Sequence, residues 1–307
     1  MNGTRARLIL NPAAGADQAL AYAGSLNERL SSRYGRIEIV LSVGAGDCEA
    51  AARRAVADGC NVLFIGGGDG TLNEALNGVA SMPGGLASTI LGVIPLGTGN
   101  DFAQALGLPT DVDEALTVLN EVHTIAVDVG VMNGRSFVNI SGGGFIAEVS
   151  EAVTPQMKSI AGRLAYLVGG AQALLEFDPV GMRLEAEPGA QRFEGGMYAF
   201  AACNSRLIGG GKLIAPHAVI DDGLLDFCVI EAMPTLEFVA LLRRVATGEH
   251  VEDPRVRYLR GSHAVLRFAR PIPVNTDGEI LEADRCEYSV LPRAVRFLAG
   301  DAPFAAG

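Results

Sequence analysis

The stretch Phe64–Leu76, FIGGGDGTLNEAL, decides how the rest of the chain is read. It joins an apolar run to a segment of helical period through Gly66, Gly67, Gly68 and Gly70, interrupted by Asp69. Glycine loses more conformational freedom on folding than any other residue, so such a cluster belongs where another group must approach the backbone. A strand, a glycine turn and a helix start together present N–H groups and a positive dipole end, which suits phosphate. The spacing matches neither the G-x-x-x-x-G-K-[ST] loop nor G-x-G-x-x-G. Asp69 beside phosphates would repel them unless a cation intervened, which points to Mg²⁺. As a plain turn residue it would instead cap the helix.

Outward from this turn the same unit repeats. Strands are expected at 7–10, 36–42, 61–66 and 89–97, and helices at 17–30, 46–59, 71–80 and 100–108. Such alternation implies a parallel sheet covered by helices, with ligands gathered outside the carboxyl ends of its strands. Two more small loops fall at such ends: NPAAG at 11–15 and GTGND at 97–101. From about residue 129 the texture changes to short strands separated by turns, with helical stretches near 161–177 and 235–247. That pattern predicts an antiparallel, sandwich-like second domain, with the cleft between the domains as the ligand site.

Composition narrows the function classes. The 307 residues are 49% apolar and carry a net charge of −11, with Lys158 and Lys212 the only lysines. Nucleic acid and strong constitutive membrane binding are poor partners for that balance. Five scattered cysteines without a C-x-x-C pair fit neither a zinc cluster nor a disulfide framework, so a soluble, cytoplasmic protein is expected. The apolar stretch 164–177 is too short and glycine-rich to span a bilayer. An exposed edge strand in the second domain would be compatible with a homodimer.

NPAAG (11–15), GGDGTLNE (67–74) and PLGTGNDFA (95–103), in this order, resemble the three signature motifs of the diacylglycerol kinase catalytic domain, found in bacterial lipid kinases and in sphingosine and ceramide kinases. NAD kinases share the GGDGT piece; PLGTGNDFA is the discriminating one. The resemblance implies an α/β N-terminal domain like that of NAD kinase and phosphofructokinase, spanning 1–128 with a returning segment at about 290–307. A β-rich antiparallel sandwich at 129–289 would receive the lipid, and the nucleotide would lie in the interdomain cleft.

It also implies roles. Asn11, Pro12, Ala13, Ala14 and Gly15, with Gly67, Gly68, Asp69, Gly70 and Leu72, would hold ATP phosphates, largely through the backbone. Thr71, Asn73 and Thr98 would add side-chain donors, and Ser42 stands on the adenosine side. Asp69 and Asp101 would hold catalytic Mg²⁺ through water, with Asp128 extending that network. The segment 214–230 is similar to the one preceding a structural Mg²⁺ site, to be ligated by the carbonyls of Val219 and Leu224 and the carboxylate of Asp222. VNTDGE (274–279) is similar to the motif supplying the catalytic base, Glu279 first and Asp277 second; from the residues alone it is a type I′ hairpin turn. The stretch 154–177 would line the lipid entrance.

The expected reaction is γ-phosphoryl transfer from ATP to the hydroxyl of diacylglycerol or a related lipid, met transiently at a membrane surface. A kinase of a soluble acceptor and a catalytically inactive nucleotide-binding regulator are the alternatives; the first leaves PLGTGNDFA unexplained, and the second the acids Asp69, Asp101, Asp222 and Glu279.

Overall fold

The computed structural model describes residues 4–14, 18–147, 178–189 and 191–306, with 18–21 by backbone alone. The anticipated helix at 161–177 and the lipid-entrance stretch 154–177 lie outside the described residues.

The first domain runs β1 (Ala6–Leu10), α1 (Gln18–Tyr34), β2 (Ile37–Leu41), α2 (Asp47–Ala57), β3 (Val62–Gly67), α3 (Asp69–Ala80), α4 (Gly85–Ser88), β4 (Ile90–Pro95), α5 (Asp101–Ala105) and α6 (Val112–Leu119). Its strands are parallel in the order β4-β3-β1-β2. Every residue of β1 and β3 is buried, as for parallel strands covered on both faces. In α2, Cys48, Ala51, Ala52 and Ala55 form one buried stripe, and Asp47 and Glu49 in the first turn complement the dipole.

From β5 (Thr124–Met132), whose Val127 and Val129 lie in the first core and Met132 in the second, the chain passes into the second domain: β6 (Arg135–Phe137), β7 (Ile140–Gly144), β8 (Val180–Glu187), β9 (Gln191–Cys203), β10 (Leu207–Ile208) and β11 (Lys212–Leu213). It continues with β12 (Leu225–Glu231), α7 (Thr235–Arg244), β13 (Val256–Gly261), β14 (His263–Thr276) and β15 (Glu279–Leu298). Its main path is β13-β12-β9-β7-β14-β15, antiparallel throughout, with β8 joining β9 and β14. Strict alternation of buried and exposed residues along β8 marks one face on the core and one in water.

The long strand β15 joins the two halves. It begins as the partner of β14, then runs antiparallel to β5, and its Arg296 and Phe297 lie parallel on β4. Val295, Phe297 and Leu298 accordingly belong to the core of the first domain, while Cys286 and Tyr288 lie in that of the second.

Not anticipated from periodicity were α4, α6, β5, β10, β11 and β13. The signal for α6 was present: Asp111 caps it by accepting the amides of Asp113 and Glu114, and Ala115, Leu116 and Leu119 form its buried face. The segment after Asn100 yields only five helical residues, because Leu106 already leaves the helix and Gly107 takes a φ of 70°. All five cysteines are free thiols. Burial pushes Cys228 up to about 12 and Cys286 up to about 11, so both are protonated at neutral pH.

Candidate active site

The carboxyl ends of β1, β3 and β4 share one edge, and their loops wall a cavity of about 840 Å³. Asn11, Ala13 and Ala14 form one side; Gly68, Gly70, Thr71 and Asn73 another; Gly97 and Thr98 a third. The second domain closes it with Arg135, Asp277, Gly278 and Glu279, and α2 and α3 add Glu49 and Glu74.

The glycines are there because backbones touch. A Cβ on Gly97 would stand 2.4 Å from the Cα of Gly68, and one on Gly67 would meet Thr71 at 2.5 Å. Asn11 braces the adjoining loop: its Nδ2 donates to Thr71 Oγ1 (3.0 Å), its Oδ1 accepts from Ala13 N (3.0 Å), and its own amide bonds Gly66 O (2.9 Å). The expected nucleotide residues Pro12, Ser42, Gly67, Asp69 and Leu72 do not line the cavity, and Gly15 lies outside the described residues. Leu72 is buried in the core with its N–H in the first turn of α3, and Ser42 is buried against Cys48.

The hairpin joining β14 to β15 turns through Asp277 (φ 45°) and Gly278 (φ 99°), directly opposite Gly70. Both positions are left-handed, as a two-residue type I′ turn requires. The Asp277 carboxylate is enclosed: it accepts the amides of Val138 (2.9 Å), Asn139 (3.0 Å) and Ile140 (2.7 Å). Burial pushes its pKa up to about 7 in spite of those three donors. Glu279, two residues on, faces the cavity instead, where Arg135 donates both Nε (3.0 Å) and Nη2 (2.7 Å) to its Oε2. Of the two carboxylates, Glu279 is the one placed to meet a ligand.

Asp69 and Asp101 sit behind the glycine walls. Asp69 accepts the amides of Asp101 (3.2 Å) and Phe102 (3.1 Å), which ties α3 to the start of α5. Asp101 accepts those of Gly210 (3.0 Å) and Gly211 (2.7 Å) in the second domain. The two carboxylates come together beside Gly99, where a Cβ would stand 3.2 Å from Asp69 Oδ2 and 3.6 Å from Asp101 Oδ2. Burial, and after it the charge of Asp101, raises Asp69 above the usual carboxylate range. Each of their four oxygens already accepts a backbone N–H, so Mg²⁺ would meet these hard carboxylates through water.

The second expected metal locus has a different chemistry. Asp222 accepts the amide of Leu224 (3.0 Å) and pairs through its other oxygen with the guanidinium of Arg260. Arg260 Nε also lies 3.2 Å from the wholly buried Asp226. A guanidinium pairs with both acids here, so Asp222 meets a cation that the chain itself supplies. Among the described residues no three His, Cys, Asp or Glu side chains are grouped to hold a metal. Asp128 likewise serves the fold, accepting the amides of Gly223 and Arg293 at 2.6 Å each.

Reading by sequence missed Glu49, Arg135 and Asn77. Arg135 and Glu49 belong to no motif, and only the topology brings them to the cavity. Asn77 had a visible signal, a polar residue one turn after Asn73 on an otherwise apolar helix face. Buried, it bonds both the N–H and the C=O of Ser136 at 2.9 Å, fastening β6 to α3.

This architecture and these loops recur in known proteins. Residues 5–132 match the diacylglycerol kinase catalytic domain, and 140–299 the YegS C-terminal NAD kinase beta sandwich-like domain. A solved structure described as a diacylglycerol kinase from Bacillus anthracis str. Sterne superposes with a TM-score of 0.76 at 20% identity, covering 98% of this chain and 99% of that one. In sequence, the chain is 32% identical over 275 residues to a diacylglycerol kinase of Staphylococcus carnosus (strain TM300), spanning 90% of this chain and 88% of that protein. To one of Bacillus subtilis (strain 168) it is 31% identical over 277 residues, spanning 90% and 89%. With both domains matched and sequence identity sustained from one to the other, the chain belongs to the diacylglycerol kinase family of enzymes.

Proposed function

We propose that the protein transfers the γ-phosphoryl group of ATP to the free hydroxyl of diacylglycerol. One observation carries this reading: a single cavity holds the glycine-loop backbone of the first domain and the Glu279 carboxylate of the second. The names of the relatives support diacylglycerol as the acceptor. Among the described residues no helix is long and apolar enough to cross a membrane, so the lipid would be met at a bilayer surface.

Phosphoryl transfer requires alignment and charge neutralisation more than covalent help. The amides of the loops at Ala13–Ala14, Gly68–Gly70 and Gly97–Thr98 would hold the phosphates, with the hydroxyls of Thr71 and Thr98 beside them. Mg²⁺, held by Asp69 and Asp101 through water, would supply the positive charge that neutralises the phosphate oxygens. Glu279 would accept the hydroxyl proton as that oxygen bonds the γ-phosphorus and the bond to ADP breaks.

The test is transfer of label from γ-labelled ATP, with Mg²⁺, to a panel of lipids in mixed micelles, with NAD as a soluble acceptor. Label in the diacylglycerol product, reduced by about 100-fold or more in Glu279→Gln, is expected. Label on NAD, or undiminished transfer by Glu279→Gln, would sink the reading.

A further inference from the structure

Three charged side chains from separate elements meet in the cavity wall: Glu49 of α2, Arg135 of β6 and Glu279 of β15. Arg135 Nη2 reaches Glu49 Oε2 at 3.1 Å as well as Glu279 Oε2 at 2.7 Å. The other oxygen of Glu49 takes Arg53 at 3.2 Å, one helical turn along α2.

The backbones beneath this triad are fastened independently of it. Next to Arg135, both polar backbone groups of Ser136 are bonded by Asn77. Next to Glu279, Asp277 is held by the amides of residues 138–140. On the far side, α2 lies so close to α3 that a Cβ on Gly78 would stand 2.2 Å from the carbonyl oxygen of Glu49. An ordinary surface ion pair joins flexible side chains and contributes little to stability. Here three rigid supports converge on one guanidinium, and both of its bonds to Glu279 go to the same oxygen.

We propose that Arg135 is a positioning residue for phosphoryl transfer. It pins Glu279 by Oε2, so that Oε1 is turned to the incoming hydroxyl, and Glu49 holds the guanidinium in place from α2. The proposal rests on Glu279 being the proton acceptor. A carboxylate free to rotate would meet the hydroxyl in few of its orientations, and misplacement of about 1 Å lowers rates by roughly 100-fold.

The experiment compares wild type with Arg135→Gln, Arg135→Lys, Glu279→Gln and the double variant Arg135→Gln/Glu279→Gln. Readouts are kcat, KM for ATP, the Kd of a non-hydrolysable ATP analogue, and the melting temperature. Arg135→Gln is expected to lower kcat by about 100-fold with the analogue's Kd unchanged. Arg135→Lys should recover part of that loss, and the double variant should be no slower than Glu279→Gln. If Glu279→Gln keeps wild-type activity, the base reading falls and the proposal with it. If Glu279→Gln is inactive while Arg135→Gln turns over like wild type, the proposal alone is overturned. It is also overturned if Arg135→Gln weakens analogue binding at unchanged kcat, which would make Arg135 a phosphate ligand. A double variant slower than Glu279→Gln by the full product of the single losses overturns it too.

Discussion

The carboxylate of Asp277 receives the backbone N–H of Ile140 at 2.7 Å, across 137 residues of chain. With Val138 and Asn139 added, one buried acid receives three successive amides, and so fixes the turn that carries Glu279 into the cavity. In a chain that bonds its buried amides this way, removal of the acceptor costs about 1–3 kcal/mol.

Asp277 also makes stability depend on pH. Burial raises its pKa from the ordinary 3.8 to about 7 in the folded chain. A value raised by folding means that the protonated carboxyl stabilises the fold at low pH, a contribution lost as pH climbs through about 7. Asp277→Asn is neutral at every pH and tolerates the left-handed backbone. Chemical denaturation should show wild type losing stability relative to Asp277→Asn between about pH 4 and about pH 7. A difference that stays constant over that window would contradict the shift.

Gly97→Ala tests the backbone contact between loops. The new methyl would meet Gly68 Cα at 2.4 Å, and neither backbone can yield without moving the cavity wall. Titration calorimetry with an ATP analogue is expected to show affinity reduced by about tenfold or more, alongside a loss of about 1–3 kcal/mol in stability. Wild-type affinity would mean that these two loops do not hold the nucleotide.

Asp69 is held above the usual carboxylate range by burial first and by the charge of Asp101 second. Asp69→Asn removes that buried repulsion but also removes one amide acceptor. The melting temperature at neutral pH should therefore change little or rise, while phosphoryl transfer falls by about 100-fold or more. Parallel loss of stability and activity would give Asp69 a structural role only.

At Arg260 the expectation separates ion pair from metal. The Arg260 guanidinium compensates wholly buried Asp226 and half-buried Asp222. Arg260→Ala leaves Asp226 without its cation and should cost about 3 kcal/mol in thermal or urea unfolding. Adding a chelator to wild type should leave the unfolding midpoint unchanged. A chelator-induced drop would establish a structural metal there.

The two halves of the molecule were legible in the sequence to different depths. Local chemistry wrote the parallel sheet and its glycine loops: the glycines at 66–70 and 97–99 each follow an apolar run, and backbone proximity there is a property of neighbours in the chain. The turn at Asp277-Gly278 was equally local. What the side chains at these positions face was not. Asp69 and Asp101 bond amides more than 30 and 100 residues away, and Arg135 meets Glu279 across 144 residues. Periodicity and turn propensity act over a few residues, so they could set strands, helices and loops in order. The course of β15, from hairpin partner of β14 to parallel neighbour of β4, is what carries Glu279 to the glycine loops. Burying the apolar side chains of one strand in two cores at once is a long-range requirement, and only the folded chain meets it.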